Sequence, residues 1–186
     1  MIFAVFVALL LGTGLMRLAE LGVSLRRMRA RPDAVVSEPW MFPLMAVLHT
    51  GLVFLPIIEV LSLHRPAYIG IFWSCIAVLL AASGLRIWTL STIGTSWNVR
   101  VVSPPSGGIA TTGPYAWIRH PNYLVVILEI AALPMVHGAW LSAVLLTALN
   151  GFVLFHRIRT EEAVLEKNPV WVEAFESKAR LIPGVL

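Results

Sequence analysis

Residues 67–90 read AYIGIFWSCIAVLLAASGLRIWTL, and this stretch decides the fold class of the chain. Arg86 is the only charged residue in it. A helix of about 20 consecutive apolar residues is long enough to cross a bilayer. The stretch therefore predicts a transmembrane helix from residue 67 to about residue 90.

Four further apolar stretches flank this one. They cover residues 2 to about 24, 40 to about 63, 123 to about 136, and 140 to about 155. The sequence Pro-Met-Val-His-Gly at residues 134–138 stops a helix and separates the last two, so we expect a tight helical hairpin there. The pattern predicts an all-α integral membrane bundle of about five transmembrane helices.

The composition supports a membrane protein. Of the 186 residues, 58% are hydrophobic and 13% are charged, and the mean hydropathy is +0.82. A soluble domain is typically about 45–50% apolar and about 25% charged. We expect a single membrane domain over residues 1–186, in which residues 1–92 supply three spans and residues 93–186 supply a loop, the hairpin and a tail.

The basic residues predict the orientation and argue against two kinds of partner. They follow the first, third and fifth spans, whereas the loops on the other side carry only Arg65. By the positive-inside rule, the N-terminus lies outside and the C-terminus in the cytoplasm. Because the basic residues flank spans, the net charge of +4 does not indicate a nucleic-acid partner. The single cysteine, Cys75, lies inside a span, so we expect neither a disulfide nor a metal site.

Two regions outside the spans have a recognisable pattern. Residues 93–112 are rich in Gly, Ser, Pro and Thr and predict a cytoplasmic loop. Residues 160–179 place apolar and charged side chains at helical spacing, which predicts an amphipathic C-terminal helix interrupted near Pro169.

The first polar cluster is residues 113–123, which read GPYAWIRHPNY. Pro121 suits the first turn of a helix, whose free N–H groups attract an anion. Arg119 adds a positive charge, and Tyr115 and Tyr123 add aromatic faces with hydroxyl groups. The cluster predicts a site for a small ligand that carries a carboxylate and a flat ring.

The second polar cluster is residues 157–162, which read RIRTEE. Arg157 and Glu161 are four residues apart and share one face of a helix. Glu161 or Glu162 can accept hydrogen bonds from ribose hydroxyls, and Arg157 can hold an anionic substrate. Singly, these residues also suit membrane anchors or a helix start, but the hairpin returns the chain to the same side of the membrane and favours a shared site.

At these two clusters the chain resembles the isoprenylcysteine carboxyl methyltransferase family. That family carries a Gly-x-Tyr-x-x-x-Arg-His-Pro-x-Tyr stretch, then a membrane hairpin, then an Arg-x-x-x-Glu-Glu ending. Residues 113–123 and 157–162 match in order, and residues 181–184 resemble the terminal motif. Val125 departs from the pattern, because many members have glycine there. The resemblance implies an S-adenosylmethionine-dependent methyltransferase with a cofactor pocket that faces the cytoplasm and a lipophilic substrate that enters from the bilayer lipids.

The resemblance also implies residue roles. Arg157 matches a residue that holds the substrate, and we expect it to act in catalysis with Glu162 and Arg119. The residues expected to contact the cofactor are Gly107, Gly108, Ile109, Ala110, Tyr115, His120, Pro121, Asn122, Tyr123 and Glu161.

The nature of the methyl acceptor stays open at this stage. Residues 17–20, 48–50 and 94–100 are similar to bacterial family members found with polyketide synthases that make long-chain phenols or pyrones. The acceptor is therefore a prenylated cysteine carboxylate or a long-chain phenol or pyrone. A carboxylate, with a pKa near 4, needs no general base, whereas a phenol, with a pKa of about 10, does. His120 or a nearby carboxylate can take that proton.

The role of Glu129 and the class of protein also stay open. Glu129, about 12 Å along the fourth span from Pro121 at 1.5 Å per residue, is either a functional acid or the partner of a polar group on a neighbouring helix. The segment Arg-His-Pro-Asn-Tyr also occurs in sterol-reductase-like membrane oxidoreductases that use NADPH. The third alternative is a membrane binding protein without enzymatic activity.

Overall fold

The computed structural model describes residues 1–30, 35–36, 40–94, 97–99, 102–103 and 109–183. A 3-10 helix, Gly113–Ala116, precedes the hairpin, and strand β1 (Val35–Val36) pairs antiparallel with β2 (Val102–Ser103). The predicted all-α integral membrane bundle is confirmed, although the sequence did not indicate this short strand pair. The helices are α1 (Ile2–Arg29), α2 (Met41–Leu63), α3 (Ile69–Ile93), α4 (Pro121–Met135), α5 (Trp140–Leu165) and α6 (Pro169–Phe175).

Four of these helices, α1, α2, α3 and α5, are long and apolar enough to cross a membrane. Helix α4 has 15 residues and is about 22 Å long at 1.5 Å per residue, which is shorter than a hydrocarbon core of about 30 Å. It packs against α1, α2, α3 and α5. The bundle therefore has four long spans around one short central helix, where the sequence predicted about five spans.

The outer surface of the bundle is apolar, as a lipid solvent requires. Leu15, Val47, Phe54 and Ile87 are all exposed, on three different helices. Phe6, Leu10, Leu52 and other apolar residues form the buried core at the end of the bundle that holds the hairpin turn. Neither the lipid-facing surface nor the apolar core provides a partner for a buried charge, so a charged side chain inside the bundle depends on other polar groups of the protein.

The turn between α4 and α5 is fixed by close packing. Gly138 has φ of 75°, and a Cβ atom there would lie 2.7 Å from the carbonyl oxygen of Pro66. Just after the turn, the Glu59 carboxylate caps α5 by accepting hydrogen bonds from the backbone N–H of Leu141 (3.1 Å) and of Ser142 (2.7 Å). Arg65 donates to the same carboxylate at 3.1 Å. Glu59 therefore has a structural role at this end of the bundle.

Two helices extend beyond the apolar stretches at their C-terminal ends. Helix α1 continues to Arg29, because basic side chains are favourable in a last turn. Helix α5 continues to Leu165 and carries the second polar cluster on helical backbone. The break predicted near Pro169 separates α5 from α6, which begins at Pro169 with the Asn168 side chain accepting from the Val170 N–H at 3.0 Å.

Candidate active site

The two polar clusters meet through the Tyr123 hydroxyl. Tyr123 lies in the first turn of α4 and donates a hydrogen bond to the Glu161 carboxylate on α5. The Nε atom of Arg157, one turn before Glu161, donates to the same hydroxyl oxygen at 2.7 Å. Arg157 also lies 5.5 Å over the Tyr123 ring. The hairpin therefore brings residues 113–123 and 157–162 into contact, as the sequence predicted.

Glu162 is the centre of a second set of contacts. Its side chain is buried and accepts hydrogen bonds from Arg119 Nη1 (3.2 Å), His120 Nε2 (3.2 Å) and Arg180 Nε (2.9 Å). The hydrogen bond and the negative charge of Glu162 raise the pKa of Arg180, which keeps its charge. Glu162 thus holds together the basic groups that surround the start of α4 and offsets part of their charge.

The C-terminal segment after α6 lies across the first cluster. The backbone N–H of Arg119 donates to the Ala179 carbonyl at 2.9 Å, and that of His120 donates to the Arg180 carbonyl at 3.0 Å. The Arg119 side chain donates to the carbonyl oxygen of Lys178 at 2.8 Å. Arg119 and Glu162 together hold this segment against the cluster.

Three other residues of the first cluster surround Tyr123 and Glu161. The His120 ring stacks on the Tyr123 ring with centroids 5.2 Å apart. Burial and the nearby Glu161 carboxylate raise the pKa of Tyr115, so its hydroxyl remains a hydrogen-bond donor. The side-chain oxygen of Asn122 is buried and has no hydrogen-bond partner among the described residues. Buried acceptors in native proteins are almost always paired, so this oxygen is open to a donor from water or from a bound molecule.

The loop before the first cluster is described only in part. Ile109 and Ala110 are half-buried, whereas Gly107 and Gly108 lie outside the described residues. Gly113 has φ of 58°, and a Cβ atom there would lie 2.5 Å from the Thr92 hydroxyl. This glycine therefore allows the chain to turn closely against α3 before it reaches Tyr115.

Arg157 differs from the other buried cations in its partners. Besides Tyr123, its guanidinium donates to the Met45 sulfur at 2.6 Å and to the Val99 carbonyl. Among the described residues, no carboxylate forms an ion pair with it. The residue is only 8% exposed, and the Glu161 carboxylate acts on it across the shared Tyr123 hydroxyl and not by direct contact. A buried charge without a direct counter-charge is costly. The guanidinium is therefore suited to an anionic or electron-rich group of a ligand.

A cavity of about 510 Å³ lies beside Arg157 within the bundle. Its polar end is lined by Arg157, Asn122, His49 and Asn150. Its apolar end is lined by Leu11, Leu15, Leu18, Val53 and Phe54. Leu15, Leu18 and Phe54 of this lining are also exposed apolar residues of α1 and α2.

Four charged residues beside this cavity form a set that the sequence did not indicate. Arg17 binds Glu20 at 3.0 Å and also contacts Glu129. Arg86 Nε binds Glu20 at 2.9 Å, and Arg86 Nη1 lies 3.7 Å from Glu129. We call this set the ionic quartet. Of the two roles considered for Glu129, the structure shows pairing with neighbouring helices. Isolated charges inside apolar spans are the sequence feature by which the set could have been found.

Comparisons with known proteins identify the family. Residues 74–167 match the isoprenylcysteine carboxyl methyltransferase family. The uncharacterized protein YpbQ of Bacillus subtilis (strain 168) is 35% identical over 131 residues, which are 69% of this chain and 76% of that protein. An uncharacterized protein of Haemophilus influenzae is 25% identical over 127 residues, 66% of this chain and 71% of that protein.

A third relative is the nickel-cobalt-cadmium resistance protein NccN of Alcaligenes xylosoxydans xylosoxydans. It is 32% identical over 113 residues, which are 59% of this chain and 50% of that protein. Within the part of this chain that the structure describes, no group of three or more His, Cys, Asp or Glu side chains could hold a metal ion.

The family match and the four long apolar helices agree on the kind of protein. Members of the family are, in general, S-adenosylmethionine-dependent methyltransferases, so the match supports a membrane methyltransferase. The apolar helices identify an integral membrane protein. Since the match covers residues 74–167 and the Bacillus relative aligns over 76% of its own length, this chain belongs to the isoprenylcysteine carboxyl methyltransferase family.

Proposed function

We propose that this protein transfers the methyl group of S-adenosylmethionine to an oxygen atom of a lipophilic acceptor within the membrane. The observation that carries the proposal is the Tyr123 hydroxyl, which bonds Glu161 on one side and Arg157 on the other. The first contact belongs to the proposed cofactor site, and the second belongs to the polar end of the cavity. One side chain thus joins a nucleoside-type site to a site for an apolar molecule.

The residues of the first site suit S-adenosylmethionine. The Asn122 side-chain oxygen lacks a donor and can accept one from the amino group of the cofactor. The Glu161 carboxylate can accept from ribose hydroxyls, and the rings of Tyr115 and Tyr123 offer flat surfaces to the adenine. We assign His120, Pro121, Ile109 and Ala110 to the wall of the same site, and Gly107 and Gly108 to the preceding loop. When bound, the cofactor supplies a methyl group already activated on a sulfonium.

The protein itself supplies alignment and a water-poor surrounding. Arg157 would hold the acceptor oxygen at the polar end of the cavity, and the apolar end would hold its hydrocarbon chain. Bringing the reacting atoms together in the correct orientation can account for about 7–11 kcal/mol of a barrier. Prenylated cysteine carboxylates and long-chain phenols or pyrones both fit this general arrangement.

We propose that Glu162 and Arg119 act as positioning residues. Both were expected to be catalytic. Glu162 is engaged with His120 and Arg180, and Arg119 is engaged with Glu162 and with the carbonyl oxygen of Lys178. Since His120 stacks on Tyr123, the contacts of Glu162 set the position of the Tyr123 ring. Their effect on the reaction is therefore transmitted through Tyr123.

We further propose that the site faces the cytoplasm. The last turn of α1 carries Arg26, Arg27 and Arg29, and the Arg27 side chain donates to the Trp97 carbonyl beyond α3 at 2.7 Å. The basic end of α1 therefore lies beside the segment that follows α3, and Arg157 of the site donates to the Val99 carbonyl in that same segment. This arrangement supports a C-terminus in the cytoplasm.

Labelled methyl transfer tests the function directly. Purified protein in lipid nanodiscs is incubated with methyl-labelled S-adenosylmethionine and a bacterial lipid extract, and the labelled product is identified. We expect label in an apolar product whose methyl group is lost on ether or ester cleavage. Label in no lipid fraction, from protein that stays folded, would contradict the proposal.

Calorimetry separates the proposal from its two rivals. We expect saturable binding of S-adenosylhomocysteine and none of NADPH. The reverse result would favour the reductase-like alternative. If the protein only binds a ligand or partner in the membrane and has no enzymatic activity, Arg157→Ala and His120→Ala should leave that binding unchanged. We expect instead that both variants lose methyl transfer.

A further inference from the structure

The cavity contains a histidine to which the proposed function assigns no role. His49 lies on α2 and lines the cavity together with Arg157 and Asn150. Its Nδ1 atom lies 2.8 Å from the carbonyl oxygen of Met45. A carbonyl oxygen only accepts hydrogen bonds, so Nδ1 must carry the proton. In the neutral ring, Nε2 is then the nitrogen with a free lone pair.

His49 lies close to the guanidinium that would hold the acceptor. Arg157 donates to the Met45 sulfur at 2.6 Å, and His49 follows Met45 by one helical turn, about 6 Å along the axis. An oxygen atom placed in the cavity between the two residues can accept from Arg157 and donate its proton towards Nε2 of His49. The arrangement is that of a cation and a base on opposite sides of one reacting atom.

The other charged groups around His49 are already paired. Arg17, Glu20 and Arg86 act on it electrostatically from α1 and α3. Glu20, the only carboxylate among the described residues that line the cavity, accepts from both arginines. A carboxylate engaged in two ion pairs is a poor proton acceptor, because protonation would break both pairs. His49 is therefore the available base on this surface.

A second observation indicates an oxygen-bearing ligand. Asn150 on α5 is 3% exposed, and its side-chain NH₂ group has no hydrogen-bond partner among the described residues. The side chain lines the same cavity. Buried donors are almost always satisfied in native proteins. A hydroxyl, ether or carbonyl oxygen of a bound molecule would satisfy this one.

On the basis of the proposed function, we propose that His49 accepts the proton of the methyl acceptor, and that the acceptor is a phenol- or enol-type hydroxyl on a long apolar chain. The acceptor O–H bond breaks and its proton passes to Nε2 of His49, while the oxygen forms its bond to the methyl carbon. The electron pair of the broken sulfur–carbon bond stays on sulfur. The sulfonium charge is thereby lost, and one proton leaves His49 for water after product release. A carboxylate acceptor is already ionised at neutral pH, so it has no proton for a base to accept.

The variant His49→Asn tests this role with little local change. The asparagine NH₂ group occupies the position of Nδ1 and can still donate to the Met45 carbonyl, but no base remains at the position of Nε2. The matched control is His64→Asn, which makes the same substitution at an exposed residue just after the end of α2, where the left-handed backbone tolerates asparagine. Three acceptors are compared: a long-chain phenol, its nitro-substituted analogue, which is ionised at the assay pH, and a prenylated cysteine carboxylate.

We expect His49→Asn to lower kcat for the plain phenol by about 10²–10⁴-fold, the range of general base catalysis. The loss should shrink to a few-fold for the nitrophenol, and His64→Asn should match the wild type with every acceptor. Without cofactor, the colour of the bound nitrophenol reports its ionisation. The pH at which half of it is ionised should differ between the wild type and His49→Asn, because only the wild type places Nε2 against the phenol oxygen.

The result that overturns the inference is an equal loss for both phenols with an unchanged spectrum, which is what a structural histidine would give. Preference of the wild type for the carboxylate, with no effect of His49→Asn, would also overturn it. Either result leaves the proposed function standing. The proposed function fails separately, if the wild type transfers methyl to none of the three acceptors and does not bind S-adenosylhomocysteine.

Discussion

The ionic quartet and Arg157 are two ways of burying charge in the same bundle. In the quartet, Arg17 and Arg86 are matched by Glu20 and Glu129. Arg157 has only neutral partners, a phenol hydroxyl, a sulfur and a carbonyl oxygen. Both lie beside the cavity, so burial alone does not separate them. The difference is that one set contains equal numbers of opposite charges, whereas the other is a cation whose direct hydrogen-bond partners are neutral.

This difference predicts whether substitutions in each set affect stability or methyl transfer. A buried pair that loses one member leaves an uncompensated charge, so its loss is expected to affect stability. A buried cation that lacks a carboxylate has already incurred that desolvation cost, and the cost is offset when an anionic group binds. Substitutions in the quartet should therefore act mainly on stability, and substitution of Arg157 should act mainly on methyl transfer.

The largest expected effect is on the quartet. Arg86→Met leaves two carboxylates with one arginine and should lower the free energy of unfolding by about 3–5 kcal/mol. The double variant Arg86→Met with Glu20→Gln leaves Arg17 and Glu129 as a matched pair and should recover part of the loss. The thermal midpoint in detergent measures both. A midpoint that is the same in the single variant and the wild type would remove the distinction between the two sites.

Arg157→Gln should show the opposite behaviour. It removes the charge but keeps a side chain that can donate a hydrogen bond, and kcat/KM should fall by about 10²–10³-fold, as for other groups that stabilise developing charge. The thermal midpoint should stay the same or rise, because an unpaired buried charge is gone. Arg159→Gln, on the exposed side of the same helix, is the control and should change neither quantity. A large drop in the thermal midpoint with Arg157→Gln would show that this residue, like the quartet, acts mainly on stability.

A smaller effect is expected at the junction between the two sites. Glu161→Gln weakens the hydrogen bond from Tyr123 and those proposed to the cofactor, and bonds to a charged group contribute about 1.5–3 kcal/mol each. The Kd of S-adenosylhomocysteine should therefore rise by at least about tenfold for a loss of 1.4 kcal/mol. Calorimetry measures it, with exposed Glu166→Gln as the control. An unchanged Kd would show that Glu161 does not contribute to cofactor binding.

The smallest effect is expected at the C-terminal segment. The Arg180 side chain is 54% exposed where it binds Glu162, and exposed ion pairs contribute about 0–1 kcal/mol. Arg180→Ala should therefore lower the thermal midpoint by only a few degrees, with Lys167→Ala as the control. A loss as large as that of Arg86→Met would show that the segment is essential to the bundle.

Local pattern was sufficient to predict much of the fold and part of the site. Long apolar stretches predicted helices α1, α2, α3 and α5, because about 20 consecutive apolar residues are long enough to cross a bilayer as a helix. The hairpin predicted that Tyr123 and Arg157 would meet, since a turn at Gly138 returns the chain to the same side. The short length of α4 was also predictable, because Pro121 begins the helix and residues 134–138 end it, whereas its enclosure by four other helices was not. Contacts between helices distant in sequence, such as Arg17 with Glu129, have no local pattern.

By itself, the sequence determined that the chain is an integral membrane bundle and which two segments form its polar site. Hydropathy and helical spacing act over one or two turns, so both can be read from the order of residues. Only the tertiary structure decided which buried charges are neutralised and which remain open to a ligand. That choice depends on which side chains face each other across five packed helices, and in a low-dielectric interior the partner across the interface determines whether a charge is structural or functional.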